Sequence, residues 1–278
     1  MIEKDSVNFL KTKTNELLTC GDYFAYFSPC EQLRTFISNY TITFPDQGLI
    51  SDDYTVVPHG SATLVFTHDG FKLQSQLFGP SSKPYQVGRS ANECKSIFII
   101  EFQPAGLYIF TGIKQKQLID QIIPFKEIDP LLDTSIKKNL CDAVTAEELL
   151  ANIESVLLCN QPYQYPAEFS LAMRLIIQRR GNISLKELTQ ETFYSERHLN
   201  RLFHHYLGFN IKHFSRIVRI NRAIHLLHNK RNSLAYIARE FEFYDVSHFI
   251  KDFKAVCGIT PQKYRENMSD FYSEIAKF

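Results

Sequence analysis

The feature that most constrains this chain is a pattern that occurs twice in its carboxyl-terminal part, at Ser184–Gly208 and at Ser233–Arg265. Each copy opens with a serine and a short apolar helix pattern, followed by a tight turn and a second helix pattern with a polar start. Spacings of three and four place the apolar residues on one helix face and leave the other face free. The residues predicted to be buried in the second helices are Leu199, Leu202, Phe203, Phe249 and Phe253. This pattern is typical of a helix-turn-helix, whose second helix enters the major groove of DNA.

The free faces of the two second helices carry side chains that can contact bases. Arginine binds guanine and asparagine binds adenine through paired hydrogen bonds, so the first copy has the stronger set. The second copy offers a methyl contact, a hydroxyl group and a long cation at the positions taken to correspond. A single arginine on a helix is more often a solvated residue, but two copies with matching apolar frames favour DNA binding. The predicted DNA-binding residues are Arg197, Asn200 and Arg201, with Val246, Ser247 and Lys251 as their counterparts.

A wider set of residues from Ser184 to Arg265 carries a family resemblance. The matching residues are Ser195, Leu199, Arg201, Phe203, Gly208, Arg219, Ala223, Leu226, Leu227, Ile237, Ala238, Phe243, Asp245, Phe249, Phe253, Gly258, Pro261, Tyr264 and Arg265. With the especially specific segment Tyr244–Lys254, they resemble the DNA-binding domain of the AraC/XylS family of bacterial transcription regulators. Glu242 stands where that family has a turn glycine, and Phe193 has the equivalent place in the first copy. A left-handed conformation at Glu242 would cost about 1 kcal/mol.

The resemblance implies a function in transcription regulation and argues against an enzyme. It implies double-stranded DNA as a partner through the major groove, RNA polymerase as a second partner, and the bacterial cytoplasm as the location. The family implies an activator, although the residues themselves leave activation and repression equally open. The family pattern also implies that Arg219, in the long helix predicted at Asn210–Asn229, braces the two halves of the domain instead of contacting DNA.

Charge is divided unevenly along the 278 residues. Residues 1–165 hold 13 Lys and Arg against 19 Asp and Glu, whereas residues 166–278 hold 18 against 11. A basic module behind an acidic one is typical of a nucleic-acid binder that carries a partner domain. The six cysteines show no metal-ligand spacing, the first residues do not form a secretory signal, and no apolar run approaches the ~20 residues of a membrane span. The sequence therefore predicts a cytoplasmic protein without cofactor or membrane segment.

The amino-terminal part has the pattern of β-structure followed by helices. Short apolar runs cut by turn residues extend from Tyr23 to Phe110, and the pair Asp69–Gly70 between two runs predicts a hairpin. Pro130 and a capping box at Thr145 predict two helices after the strands. The spacing leaves a barrel and a sandwich open. Segments that resemble, more loosely, the amino-terminal domain of an AraC-family subgroup without an assigned ligand are Phe27–Leu33, Val56–Phe66 and Glu101–Ile113.

The predicted fold class is α+β, with two domains. Residues 1–165 are predicted to form a small antiparallel β-barrel, cupin-like by resemblance, with helices, as a regulatory or association domain. Residues 166–278 are predicted to form an all-α domain with two helix-turn-helix units joined by a long helix. His59 and His68 lack the clustered ligands that a metal site requires, so no metal is predicted.

Two functions remain open at this point. The favoured one is a sequence-specific transcription regulator that responds to a small effector, or to association as a homodimer, through its amino-terminal domain. The alternative is a constitutive architectural or low-specificity DNA binder whose amino-terminal domain only mediates association. Non-specific binding depends on phosphate contacts and falls steeply with salt, so selectivity at physiological salt separates the two.

Overall fold

The computed structural model describes residues 15–20, 23–45 and 55–266. The chain divides into two compact units, the first within residues 1–54, 61–79 and 87–164. The second unit comprises residues 55–60, 80–86 and 165–278. The main division after Gln164 lies one residue from the predicted domain boundary, but the second unit also takes two short segments from the amino-terminal half of the chain.

An antiparallel sheet forms the centre of the first unit. The strands among the described residues are β1 (Leu17–Cys20), β2 (Phe24–Phe27), β3 (Ile37–Thr43), β4 (Thr55–Val56), β5 (Thr63–His68), β6 (Leu73–Phe78), β7 (Tyr85–Gln86), β8 (Ser96–Phe102) and β9 (Ile122–Pro124). Seven of these form one sheet in the order β1-β2-β3-β8-β5-β6-β9, and β4 pairs with β7 separately. The predicted hairpin at Asp69–Gly70 is confirmed, because β5 and β6 pair with His68 opposite Leu73. Asp69 Oδ1 stabilises the turn by accepting from the Phe71 N–H at 2.8 Å.

Four helices and three short 3-10 turns among the described residues complete the first unit. The helices are α1 (Gly88–Asn92), α2 (Gly106–Thr111), α3 (Pro130–Asp142) and α4 (Ala146–Cys159), and the 3-10 turns are Glu31–Leu33, Gln115–Gln117 and Phe125–Glu127. Both predicted helix starts are confirmed. Pro130 begins α3 after the cap Asp129, and Thr145 Oγ1 begins α4 by accepting from the Glu148 N–H at 3.1 Å.

The antiparallel sheet is as predicted, but the predicted β-barrel is not closed among the described residues: β1 and β9 are the edges of the sheet and do not pair with each other. Both edge strands are short, and Pro124 in β9 has no N–H with which to extend the ladder. Helices supply the remaining cover of the sheet. Ser75 of β6 donates to the buried Asp133 of α3 at 2.5 Å, and the Cys30 N–H donates to the buried Glu154 of α4 at 2.7 Å.

The second unit contains the predicted two helix-turn-helix pairs. Its helices are α5 (Ala167–Gln178), α6 (Leu185–Thr192), α7 (Glu196–Tyr206), α8 (Ile211–His228), α9 (Leu234–Glu240), α10 (Val246–Cys257) and α11 (Pro261–Glu266). The pair α6–α7 and the pair α9–α10 are joined by α8, whose 18 residues span about 27 Å. Side-chain caps begin the central helices, and the capping residues are Ser184, Ser195, Asn210, Ser233 and Asp245. Each cap accepts from an otherwise unpaired N–H of the first turn.

A two-stranded ribbon, defined by residues 55–60 and 80–86, belongs to this second unit. Its strands β4 and β7 pair with Val56 opposite Tyr85. Val57, which is 2% exposed, packs into the apolar cluster of α8, α9 and α10. The buried Asn221 of α8 donates from Nδ2 to the Pro58 carbonyl at 3.0 Å. The ribbon is therefore part of the core of the helical unit, although residues 87–164 separate it from the helices in the sequence.

Both helix-turn-helix turns contain a residue with a left-handed backbone. Phe193 has a φ of 60° and Glu242 has a φ of 54°. Each lies nine residues after the serine that caps the first helix of its helix-turn-helix pair. Both turns therefore have a residue other than glycine at a position where the left-handed backbone strains any residue with a Cβ atom. The turn is one residue shorter in the first helix-turn-helix pair. Phe193 precedes the cap of the next helix by two residues, whereas Glu242 precedes the corresponding cap by three.

We expect Phe193→Gly to raise the free energy of unfolding by about 0.5–1 kcal/mol. The substitution removes left-handed strain of about 1 kcal/mol and loses part of that gain to the greater freedom of glycine in the unfolded chain. The Phe193 ring is 92% exposed, so its removal loses little packing. Urea unfolding followed by circular dichroism measures the change. The control Phe193→Ala keeps the strained Cβ and is expected to leave stability near that of the parent, and a glycine variant no more stable than the alanine variant contradicts the argument.

Candidate nucleic-acid interface

The first recognition helix, α7, is held in place by its buried face. Ser195 Oγ begins the helix by accepting from the His198 N–H at 3.3 Å. The Phe203 ring lies 5.2 Å from that of Phe169 in α5 and 5.9 Å from that of Phe214 in α8. The residues buried on this face include the predicted Leu199, Leu202 and Phe203. These contacts anchor α7 between two helices and leave its opposite face in solvent.

Two of the three predicted base-contacting residues of α7 lie on that free face. Arg197 and Arg201 are exposed and are separated by one helical turn. Asn200 is half-buried, and its Oδ1 accepts from the Ile211 N–H at 3.2 Å, which is the first N–H of α8. The structure therefore brings the two arginines together and gives Asn200 a structural contact that the sequence did not indicate.

The second recognition helix, α10, has the same construction. Asp245 Oδ1 begins it by accepting from the His248 N–H at 2.6 Å, and the predicted Phe249 and Phe253 are fully buried. Ser247 and Lys251 are exposed one turn apart, as the two arginines are in α7. Val246 is half-buried and packs against the apolar cluster of the unit, so its side chain offers less surface to a ligand.

The caps define which positions correspond in α7 and α10. Asn200 is matched by Ile250 instead of the expected Ser247, when residues are counted from Ser195 and Asp245. The half-buried Val246 is matched by the first residue of α7 and not by an arginine. The exposed positions that do correspond are Arg197 with Ser247 and Arg201 with Lys251. The correspondence inferred from sequence is therefore correct for only one of its three pairs.

A buried carboxylate braces α10 against α8. Asp252 is 5% exposed, and its Oδ1 lies 3.0 Å from Arg216 Nε. Its Oδ2 lies 3.5 Å from His248 Nε2 and 3.8 Å from Arg219 Nη2. A buried carboxylate is stable only when cations or hydrogen-bond donors compensate its desolvation, and Asp252 has such groups from both helices.

Arg219 connects this brace to the rest of the unit. It donates from Nη1 to Asn182 Oδ1 at 3.2 Å, and Asn182 in turn donates to the Phe241 carbonyl at 3.0 Å. Its guanidinium also lies 4.8 Å from the centroid of the Phe243 ring. Burial lowers the pKa of Arg219, and the Asp252 carboxylate opposes that shift. These contacts confirm the structural, bracing role that the family pattern implied for Arg219.

Sequence reasoning missed Asp252 as the centre of this network. It lies three residues after Phe249 and directly before Phe253, which are both buried, so helical spacing places it at the edge of the apolar face. Arg216 and Arg219 are three residues apart in α8, a spacing that places both cations on one helix face. This spacing was the sequence signal for the partners of Asp252.

Within the described ranges, no three His, Cys, Asp or Glu side chains lie close enough to hold a metal ion. His68, considered above as a ligand, accepts at Nδ1 from the Gly70 N–H at 3.2 Å. None of the helices in these ranges combines the length and apolar character needed to cross a membrane. The candidate interface is defined by the exposed cations of the two recognition helices, Arg197 and Arg201 on α7 and Lys251 on α10.

Comparisons with known proteins identify relatives of both parts of the chain. A helix-turn-helix domain family matches residues 188–267, and a domain of unknown function matches residues 25–124. The HTH-type transcriptional activator AarP of Providencia stuartii is 30% identical over 100 residues, which are 34% of this chain and 74% of that protein. The probable transcription factor PqrA of Proteus vulgaris is 31% identical over 91 residues, which are 33% of this chain and 75% of that protein. The structure of ToxT from Vibrio cholerae aligns with 91% of this chain and 98% of its own, at 13% identity and a TM-score of 0.43.

Proposed function

The chain belongs to the AraC family of DNA-binding transcription regulators, and from that premise we propose that it binds specific DNA sequences through α7 and α10. The observation that supports this proposal is the paired exposure of Arg197 with Arg201 on one recognition helix and of Ser247 with Lys251 on the other. Arginine can bind the O6 and N7 atoms of guanine together, which is the most common base-specific contact in the major groove. In each helix these two side chains lie on the solvent-exposed face, opposite the face that packs into the core.

We propose an unequal division of work between the two recognition helices. α7 presents two guanidinium groups with directional donors, whereas the only long cation among the predicted residues of α10 is Lys251. A lysine ammonium group suits a phosphate contact, which positions the protein without specifying sequence. The α8 helix joins the two helix-turn-helix pairs and is about 27 Å long. This length is of the same order as the ~34 Å between successive major-groove faces of DNA. The proposed target is therefore a site with two parts, of which the part under α7 is the more strictly defined.

A matched pair of substitutions tests this division. We expect Arg201→Ala to cost roughly 1–3 kcal/mol of binding to the preferred site and to relax selectivity at one base position. We expect Lys251→Ala to weaken binding to all sequences about equally and to reduce the salt dependence by about one phosphate contact. Titrations of each variant against single-base variants of the selected site, at several salt concentrations, measure both effects. A change of preferred base in Lys251→Ala with an unchanged salt slope would contradict the division, as would unchanged specific affinity in a folded Arg201→Ala variant.

The regulatory input is proposed to enter through the first unit, as a small effector or as homodimerisation. An apolar cavity lies between the sheet and the helices α3 and α4, with Phe66, His68 and Leu149 among its lining residues. Its volume of about 20 Å³ accommodates little more than one water molecule, so an effector requires these helices to move apart. Leu131 of α3 is 82% exposed and Leu158 of α4 is 40% exposed. We assign association to this helical pair, because contact with a second copy would remove these exposed apolar side chains from water.

The proposed partners follow from this role. As a transcription activator in the bacterial cytoplasm the protein would contact double-stranded DNA and RNA polymerase. The alternative of a low-specificity architectural DNA binder predicts a different behaviour of the same residues: Arg201 and Lys251 would then contribute alike to a salt-dependent affinity that ignores sequence.

A further inference from the structure

The side chain that lies against Arg201 is His198, one turn earlier on α7. Arg201 Nη2 is 3.2 Å from His198 Nδ1. The other ring nitrogen, Nε2, lies 3.4 Å from Glu168 Oε1 in the first turn of α5. Tyr194 stacks on the imidazole with ring centroids 4.8 Å apart and an angle of 21° between the planes. His198 is thus held on one side by Tyr194 and at both nitrogens by charged groups.

The chemistry of the two partners determines the form of the ring in this arrangement. A neutral imidazole has one N–H donor and one acceptor nitrogen, whereas an ionised carboxylate only accepts and a guanidinium only donates. Glu168 therefore requires the proton of His198 on Nε2. That tautomer leaves the lone pair of Nδ1 available to accept from Arg201. A ring protonated at both nitrogens could not accept from Arg201 at all.

Glu168 is itself well placed to hold the ring. Its neighbour in the chain, the buried Phe169, packs against α7 with its ring 5.2 Å from that of Phe203 and 4.9 Å from that of Tyr206. The carboxylate of Glu168 is 20% exposed and the ring of His198 is 27% exposed, so both groups are partly shielded from solvent. The packing of α5 on α7 thus fixes the distance between the carboxylate and the imidazole.

From this geometry we propose that His198, oriented by Glu168, is a positioning residue that fixes the direction in which Arg201 presents its guanidinium to DNA. The proposal rests on the proposed function, in which Arg201 contacts a base. A long arginine side chain samples many rotamers in solvent, and a fixed acceptor reduces the conformational entropy lost when it binds guanine. Sequence selectivity at the base under Arg201 then depends on a residue that does not itself contact DNA.

The second recognition helix provides an internal comparison. His248 occupies the position of His198 when residues are counted from the caps. Its Nε2 lies 3.5 Å from Oδ2 of the buried Asp252, four residues later on the same helix. His248 is thus engaged in the brace between α10 and α8, and among the described residues its Nδ1 has no hydrogen-bond partner, so no contact like that between Arg201 and His198 forms. The positioning contact between a histidine and a base-contacting cation is therefore specific to α7, in agreement with the stricter base choice proposed for this helix.

A purely structural role of His198 would consist of its stack on Tyr194 and its link to α5. Two substitutions separate the roles. His198→Phe keeps an aromatic ring for the stack and removes both nitrogens, whereas His198→Asn loses the ring and keeps an acceptor oxygen near the place of Nδ1. If His198 acts by positioning, Asn preserves base selectivity better than Phe. If it acts by packing, the order is reversed.

The test measures the affinity of the full-length protein for its selected site and for every single-base variant of that site. We expect His198→Phe to reduce discrimination about fivefold at the base whose preference Arg201→Ala abolishes, with other positions unchanged. His198→Asn should retain most of the discrimination. In an Arg201→Ala background, His198→Phe should have no further effect at that base, because the two residues act through one contact. Circular dichroism melting verifies that each variant is folded.

The outcomes distinguish the two proposals. If Arg201→Ala changes one base preference but His198→Phe changes none, or weakens all sequences equally, the positioning role is refuted and the function of Arg201 stands. If the effects of the two substitutions add in full, the positioning role is also refuted. If Arg201→Ala alters no base preference, the base contact itself is refuted and the positioning role is refuted with it.

Discussion

Asp252→Ala is expected to lower the free energy of unfolding of the helical unit by about 3 kcal/mol. Removal of one partner from a buried charge network leaves uncompensated charges, which typically costs 3–5 kcal/mol. We take the lower end because the partner cations remain partly in solvent: the side chains of Arg216 and Arg219 are 29% and 19% exposed. The substitution removes a polar link between α10 and α8, which still share an apolar cluster, so specific DNA binding should weaken with the lost stability.

The chain offers a matched control in a second ion pair of the same unit. Arg180 Nη1 lies 3.2 Å from Glu240 Oε1, and both side chains are largely exposed. Such surface pairs contribute about 0–1 kcal/mol, so Glu240→Ala should change stability little. Urea unfolding followed by circular dichroism suits both variants, because the chain contains no tryptophan. Equal destabilisation by the two substitutions would contradict the bracing role of Asp252.

Val57→Asp is expected to destabilise the helical unit by at least about 3 kcal/mol, although Val57 lies far upstream of that unit in the sequence. The substitution places a carboxylate in an apolar cluster formed with Ile220, Ile224 and Phe249. Hydrogen exchange measured by mass spectrometry should show faster exchange in α8. A fragment that begins at Pro166 lacks the ribbon and should be less stable than the same unit in the full-length chain.

Val144 provides the matched control for this substitution. It is 69% exposed in the connection between α3 and α4, so Val144→Asp makes the same chemical change at the surface. Surface substitutions usually remain within about 0.5 kcal/mol of the parent. If Val57→Asp leaves exchange in α8 as slow as Val144→Asp does, the ribbon is not part of the core of the helical unit.

The helical unit was largely predictable from the sequence, because its pattern is local. Apolar spacing identified Leu199, Phe203, Phe249 and Phe253, and capping residues marked the helix starts. Even the strained turn at Glu242 followed from a residue type at a known place in the pattern. Each of these signals depends on neighbours within a few residues along the chain.

The features that the sequence did not reveal depend on distant contacts. Two-residue strands such as β4 and β7 have no periodicity, so the ribbon could not be assigned to the helical unit. The contact between Asn200 and the Ile211 N–H depends on how α7 meets α8. Closure of a sheet depends on which edge strands pair, and alternating apolar residues occur in open sheets as well as in barrels. The pattern of strands therefore predicted the antiparallel sheet but could not show that the predicted barrel would remain open.

Selection of binding sites from a random DNA library at about 0.15 M salt tests the central claim most directly. We expect the full-length protein to enrich a site with two parts about one helical turn apart, with the stricter part under α7. Repeating the selection with Arg201→Ala should relax a base in that stricter part and leave the other part unchanged. Enrichment of no motif, with an affinity that depends on salt and not on sequence, would contradict sequence-specific recognition and favour the architectural alternative.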